Sequence, residues 1–315
     1  MNLIANEMMK LFKRASTYIM IGFLVLAIIG TGALVKYSEN NNESAPENTK
    51  WEQSLIEQNK QMAQQLKENS NESYKAMLKG DIAKNEYRLK HDIPPSEKTN
   101  VWSFMNDIVS IVQFISIITI TVAAGIVASE FSTGTIKLLL IRPASRAKIL
   151  FSKYAAVLIF SFSVVLLAFA MAFIVGAILF GFGDAGPYLA YSDGQVIEKS
   201  QVGNAFFTYM LSSVGLLMLT TMAFMVSAAF RNSSLAIGIA IFLLLMGPNI
   251  TMLVSMKYEW AKYILFANID LLSYFNGQPM VEGMTLSFSL IMLGIYFVLF
   301  NLIAFLFFTK RDVAA

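Results

Sequence analysis

Six long stretches of the chain carry no Asp, Glu, Lys, Arg or His: Tyr18–Val35, Ile108–Ala128, Tyr154–Phe182, Phe206–Phe230, Leu235–Met256 and Leu286–Phe308. A helix that crosses the hydrocarbon core of a bilayer needs about 20 apolar residues, so each stretch predicts one span. The expected fold class is an all-α membrane protein with six transmembrane helices. The same pattern divides the rest of the chain. An N-terminal amphipathic segment (1–17) precedes span 1 (18–35), and a long polar loop (36–107) leads to span 2 (108–128). A loop at 129–153 leads to span 3 (154–182), and a second polar loop (183–205) to span 4 (206–230). Span 5 follows closely (235–256), then an aromatic segment (257–285), span 6 (286–308) and a tail (309–315).

Within the polar stretches, local composition predicts further helices. Residues from Trp51 to about Arg88 are rich in Gln, Glu, Lys, Leu, Met and Ala, all good helix formers. One or two helices are expected there, with Gly80 ending or breaking the helical region and Pro94 and Pro95 stopping it. They would serve as a solvated cap or as an element that contacts substrate or partner. In the first segment Leu3, Ile4, Met8, Leu11 and Phe12 alternate with Asn2, Asn6, Glu7, Lys10 and Lys13. On a helix this sets an apolar stripe against lysines that suit the headgroup region. The segment 257–285 is too apolar for a solvated loop, with Tyr258, Trp260, Tyr263, Phe266, Tyr274 and Phe275 around Asp270. Aromatic residues favour the membrane–water boundary, so an interfacial or re-entrant helix is expected. Pro248, after Gly247, is expected to interrupt the hydrogen-bond ladder of span 5.

Charge sets the orientation. With the N-terminus in the cytoplasm, the inner segments carry Lys10, Lys13, Arg14, Lys137, Arg142, Arg146, Lys148, Lys153, Arg231, Lys310 and Arg311 against Glu7, Glu130 and Asp312. The short outer loops carry Lys199, Lys257 and Lys262, outnumbered by acids. Basic residues concentrate on the cytoplasmic side, so both termini are expected inside and loop 36–107 outside. A secretory signal peptide competes for the first stretch, but five more spans follow and no small-x-small cleavage site does.

Composition agrees with the spans and removes several chemistries. Of 315 residues, 56% are hydrophobic and 14% charged, against about 45–50% and about 25% in soluble domains. The chain has no cysteine and one histidine, His91, too little for an ordinary zinc or haem site. No Gly-x-x-x-x-Gly-Lys-Ser/Thr string exists to cradle a nucleotide phosphate, and no catalytic triad is assembled. The chain is expected not to be an enzyme and to bind no cofactor itself.

The loop after span 2 carries the most specific signal. Glu130 stands at the mouth of an uncharged span, and Ser132, Thr133, Gly134 and Thr135 supply a turn with helix-capping chemistry. Ile136–Ile141 reads as a short apolar helix containing Lys137, Leu138 and Leu139, ended by Arg142 and Pro143. Ser145 can cap the next helix, which runs through Arg146, Lys148 and Lys153 into span 3. A short helix across the membrane base, bracketed by arginines, makes a docking knob for a soluble partner.

These residues resemble the membrane subunits (permeases) of ABC transporters of the type-2 exporter class, ABC-2. Glu130, Gly134, Thr135, Lys137, the Leu138–Leu140 run, Arg142, Pro143, Ser145, Arg146 and Lys153 carry the resemblance. Glu7, Lys10 and Leu11 near the start are similar to the family pattern, and so is the closing Phe308–Asp312 stretch. The resemblance implies a bacterial plasma-membrane exporter subunit that pairs with a second permease, a copy or a paralogue. A separate ATPase subunit would use ATP and Mg2+. In the family, the segment matching residues 130–146 is the coupling helix that seats on that ATPase. The implied partners are the ATPase, the second permease and lipid, with no nucleic acid.

The spans hold no ionisable group to couple an ion gradient, which such carriers usually keep near the midplane. Weakly polar walls instead suit an amphipathic or hydrophobic cargo, such as a lipid-like molecule or a peptide antibiotic. Gln113, Thr119 and Asn301 are the candidate pathway-lining residues. Ala168, Ala172 and Gly176 form a small-residue ladder for close helix packing, within one subunit or between two. The competing functions are a stand-alone secondary transporter or channel, and a membrane sensor whose ligand binds the outer helical loop.

Overall fold

The computed structural model describes residues 3–42, 51–68, 72–95, 99–136, 144–183, 186–192, 194–275, 279–281 and 283–310. Its helices are α1 (Leu3–Phe12), α2 (Ala15–Asn42), α3 (Trp51–Glu68), α4 (Glu72–His91), α5 (Val101–Asp107), α6 (Ile111–Ser132) and α7 (Arg146–Leu179). A hairpin of β1 (Tyr188–Ser192) and β2 (Gln195–Lys199) follows, then α8 (Gln201–Ala229), α9 (Ser233–Ser255), the single turn α10 (Leu265–Asn268) and α11 (Leu286–Lys310). Among the described residues, six helical segments are long and apolar enough to cross a membrane, at the six places the hydropathy pattern predicts. The protein is an all-α, six-span membrane protein, and its described residues add one small β-hairpin.

Helix α6 is the axis of the bundle. Its residues from Ile111 to Ala128 are apolar nearly all round and mostly buried, as a helix with neighbours on every side must be. Helices α7, α8 and α9 pack against it, α2 lies outside α7, and α11 lies against α8. Small side chains let the backbones approach. Ala168 and Ala172 are fully buried on α7, and a Cβ on Gly176 would meet Phe104 and Val101 of α5 at 3.1 Å. The small-residue ladder thus packs within one chain. Hydroxyls fasten the crossings: Tyr154 to Thr221 at 2.9 Å, and Ser227 Oγ accepting from the backbone N–H groups of Val127 and Ala128 at 3.1 Å each.

Several elements differ from their sequence expectation. Span 2 begins at Val101, not at 108, because α5 continues through a 3-10 turn into α6. Asn100 caps α5, its side chain accepting from the N–H groups of Trp102 and Ser103 while Ser103 Oγ accepts from the N–H of Asn100, so a polar run starts a span. Gly80 does not break α4. It lies buried inside that helix, where a Cβ would meet the Tyr191 ring at 3.1 Å. It serves close approach of α4 to the β-hairpin, which sequence reading treats as plain loop. Helix α9 runs on through Pro248, whose missing N–H removes one rung of the ladder without ending the helix. Helix α1 buries Glu7 and Leu11 and stacks Phe12 edge-on to Phe160 of α7 at 5.5 Å, so it docks on the bundle itself.

One end of the bundle, the basic end, gathers Lys10, Arg146, Lys153 and Lys310. At the far end α3 and α4 form a helical hairpin, joined by Asn85 to Asn59 at 2.8 Å, and α4 rests on β1. The aromatic segment after α9 folds back as two 3-10 turns around α10. Asn268, fully buried, holds it together: its Nδ2 donates to the carbonyls of Lys262 and Ile264 at 2.8 Å each, and its Oδ1 accepts from Ser289 of α11 at 2.7 Å. The expected re-entrant element is thus a compact, hydrogen-bonded plug rather than one helix.

Candidate functional site

The basic end brings together residues from both ends and the middle of the chain. Lys153, only 1% exposed, donates to Glu7 Oε2 at 2.8 Å and to Glu130 Oε1 at 3.0 Å. Lys10 sits one helical turn after Glu7, a spacing that lets i and i+3 side chains meet. It reaches Glu7 at 3.1 Å and Glu130 at 3.4 Å. Two carboxylates and two ammonium groups therefore neutralise one another where α1, α6 and α7 meet. A buried charge is tolerable only when paired in this way.

The loop below hangs from this cluster. Thr135 Oγ1 donates to the second carboxylate oxygen of Glu130 and lies 3.0 Å from Thr133 Oγ1. Gly134 ends α6 with φ +73°, its N–H donating to the carbonyl of Phe131 at 3.2 Å. That left-handed conformation suits glycine because other L residues clash there. No heavy atom lies within 4 Å of a Cβ built at Gly134, so the cost of a side chain is conformational alone. Gly134→Val should cost about 1 to 2 kcal/mol, measured by thermal unfolding, and Gly134→Asn clearly less. Equal melting of wild type and Gly134→Val would remove the turn assignment.

On the other side of the loop, Ser145 caps α7 by accepting from the N–H of Lys148 at 3.3 Å. Arg146 Nη1 donates to the carbonyl of Thr309 at 3.3 Å, and Phe131 meets Phe308 edge-on. Lys137, Leu138, Leu139, Arg142 and Pro143 lie outside the described residues. Of the expected coupling residues, then, Glu130, Gly134 and Arg146 are fixed at the roots of the loop. Glu130 is committed to internal partners and is not free to face a docking protein. Glu7 and Lys153 stand 146 residues apart in the chain, and only the i, i+3 spacing of Glu7 and Lys10 is legible locally.

A second feature lies at the other end of the spans. Helices α6, α8, α9 and the plug enclose a cavity of about 650 Å³. Gln113 and Ser116 of α6, Ser110 just before it, Ser212 of α8, Asn249 of α9 and Asp270 of the plug supply its polar side chains, among apolar walls that include Leu219 and Phe266. Gln113 thus stands on the wall of this cavity. Thr119 does not: it is fully buried between α6 and α8, 3.3 Å from Thr220. Asn301 is also elsewhere, donating to the Phe297 carbonyl of its own helix at 2.9 Å. Thr119 thus bridges two helices, and Asn301 bonds to a carbonyl within its own. Among the described residues no group of three or more His, Asp or Glu side chains is arranged to hold a metal ion.

The chain is similar to two proteins of Bacillus subtilis (strain 168). It is 46% identical to uncharacterized protein YhcI over 317 aligned positions, covering all of this chain and 99% of that one. It is 30% identical to uncharacterized membrane protein YdbK over 198, which is 62% of this chain and 76% of that one. The model of a family described as "Protein of unknown function (DUF2705)" matches residues 73–314, a range that includes five of the six spans, the loop below Glu130 and the plug, and on that match the chain belongs to the DUF2705 family.

Proposed function

We propose that this chain is the membrane subunit of an ATP-driven exporter of the ABC-2 type. It lies in the bacterial plasma membrane with both termini in the cytoplasm and the α3–α4 hairpin outside. A separate ATPase docks on residues 130–146, and a second permease, copy or paralogue, completes the pathway for an amphipathic or hydrophobic cargo.

The observation that carries this reading is the buried Lys153 cluster. The chain enters the loop at Thr135 and rejoins the bundle at Ser145, and both roots are tied to the cluster through Glu130 and α7. A push on that loop therefore acts on α1, α6 and α7 together rather than bending one loop. A loop rooted at both ends in this way, with Arg142 and Arg146 in its sequence, suits transmission of a nucleotide-driven motion. Helices α2, α9 and α11 each leave most of their apolar surface uncovered, in keeping with lipid on one side and a second permease on another.

The test is capture. Affinity-tagged chain, purified from cells that carry its own genomic neighbourhood, should bring down an ATPase containing a P-loop. Arg142→Glu should cut that recovery about tenfold or more, since reversing a buried interface charge costs several kcal/mol, while leaving the monodisperse membrane protein intact. Recovery equal to wild type would remove the docking assignment.

A further inference from the structure

Among the described residues, the cavity between α6, α8, α9 and the plug has one charged lining side chain. Asp270 is exposed into it, and among the described residues no Lys, Arg or His lines the same space. The remaining polar side chains, those of Gln113, Asn249, Ser110, Ser116 and Ser212, are neutral. Asp270 also has a structural role, because its Oδ1 accepts from the N–H of Leu272 at 3.1 Å and caps the 3-10 turn Leu271–Tyr274. Capping needs a carbonyl-like oxygen, which asparagine supplies equally well. It does not need a negative charge beside apolar walls, where an unpaired ion is costly.

We propose that this cavity is a binding site for a cationic amphiphile, an apolar body of aryl or alkyl groups carrying one positive charge, whose cation pairs with Asp270. The proposal deepens the permease reading by naming its cargo class and rests on that reading for its transport meaning. The apolar walls take the body of the ligand, as in most small-molecule sites, where a few polar groups fix orientation. Gln113 and Asn249 donate or accept at the rim. Phe266 offers a ring face, which attracts a cation within about 6 Å of its centre. Anions of the same size meet only the carboxylate and are rejected.

Tetraphenylphosphonium and tetraphenylborate match in shape and differ in sign, so they isolate the charge. The full chain, purified in non-ionic detergent, should bind the phosphonium saturably in equilibrium dialysis and the borate far more weakly. Asp270→Asn preserves the cap and should weaken phosphonium binding about tenfold, the effect of losing one partly buried charge pair. Ser212→Phe, which fills the cavity, should abolish saturable binding. Unaltered phosphonium binding in both variants, no saturable binding by the wild type, or equal affinity for the two ions would each overturn the proposal. The assay contains no ATPase. A failed capture would remove the permease reading and leave this result standing, and a failed binding assay would leave docking at residues 130–146 untouched.

Discussion

Lys153→Met should lower the stability of the folded chain by about 3 to 5 kcal/mol, the usual cost of leaving a buried charge without its partner. The lysine is 1% exposed and is the shared donor for two carboxylates. Methionine has a similar length and packs well, so lost volume contributes little. What remains is a pair of acids close to the same point, with only the half-exposed Lys10 to balance them. The expected readout is a sharp fall in thermal midpoint in detergent, with loss of the monodisperse peak. Lys153→Met combined with Glu130→Gln restores neutrality, since Glu7 keeps Lys10, and should recover much of the loss. Replacing a whole buried ion pair by neutral groups is often tolerated where breaking it is not. A single variant that melts like wild type, or a double variant worse than the sum of its parts, would show that the four charges do not form one unit.

That cluster also shows where sequence reading stops. Hydropathy locates the six spans because bilayer thickness fixes their length, and the run is visible locally. It misplaces the start of span 2, because Asn100, Ser103, Asn106 and Asp107 make a span end look like loop until the cap is seen. Gly80 reads as a breaker because a single sequence cannot show that Tyr191 lies against it. Thr119 and Gln113 share one helix and similar polarity, yet Thr119 is fully buried beside Thr220 and Gln113 opens onto the cavity. The face each occupies depends on where α8 crosses, which no local pattern states. Glu7, Glu130 and Lys153 are individually conspicuous as charges at the margins of spans. Their convergence is tertiary.

The second large effect lies at the plug, and it joins packing to the proposed site. Gly247 has no room for a side chain: a Cβ there would overlap the ring of Phe266 at three of its atoms. Gly215 is equally constrained, since its Cβ would come within 2.8 Å of Ile269 Cγ2 and 2.9 Å of the Ile269 carbonyl oxygen. Two glycines on α8 and α9 thus let the plug press between the helices and wall the cavity with Phe266 and Asp270. Gly247→Leu should cost about 3 kcal/mol from overpacking, offset by about 1 kcal/mol of gained helix propensity. The larger consequence is displacement of the plug, read as faster protease cleavage within residues 257–275. Phosphonium binding should fall with it, because Asp270 rides on the same segment. Phe266→Ala alone should also destabilise, by leaving a hole where the ring stood. The double variant puts the leucine into that hole, so its loss should be smaller than the sum of the two, the sign expected of residues sharing one space. Strict additivity would mean that the ring does not lie on Gly247, and the walls of the cavity would have to be drawn differently.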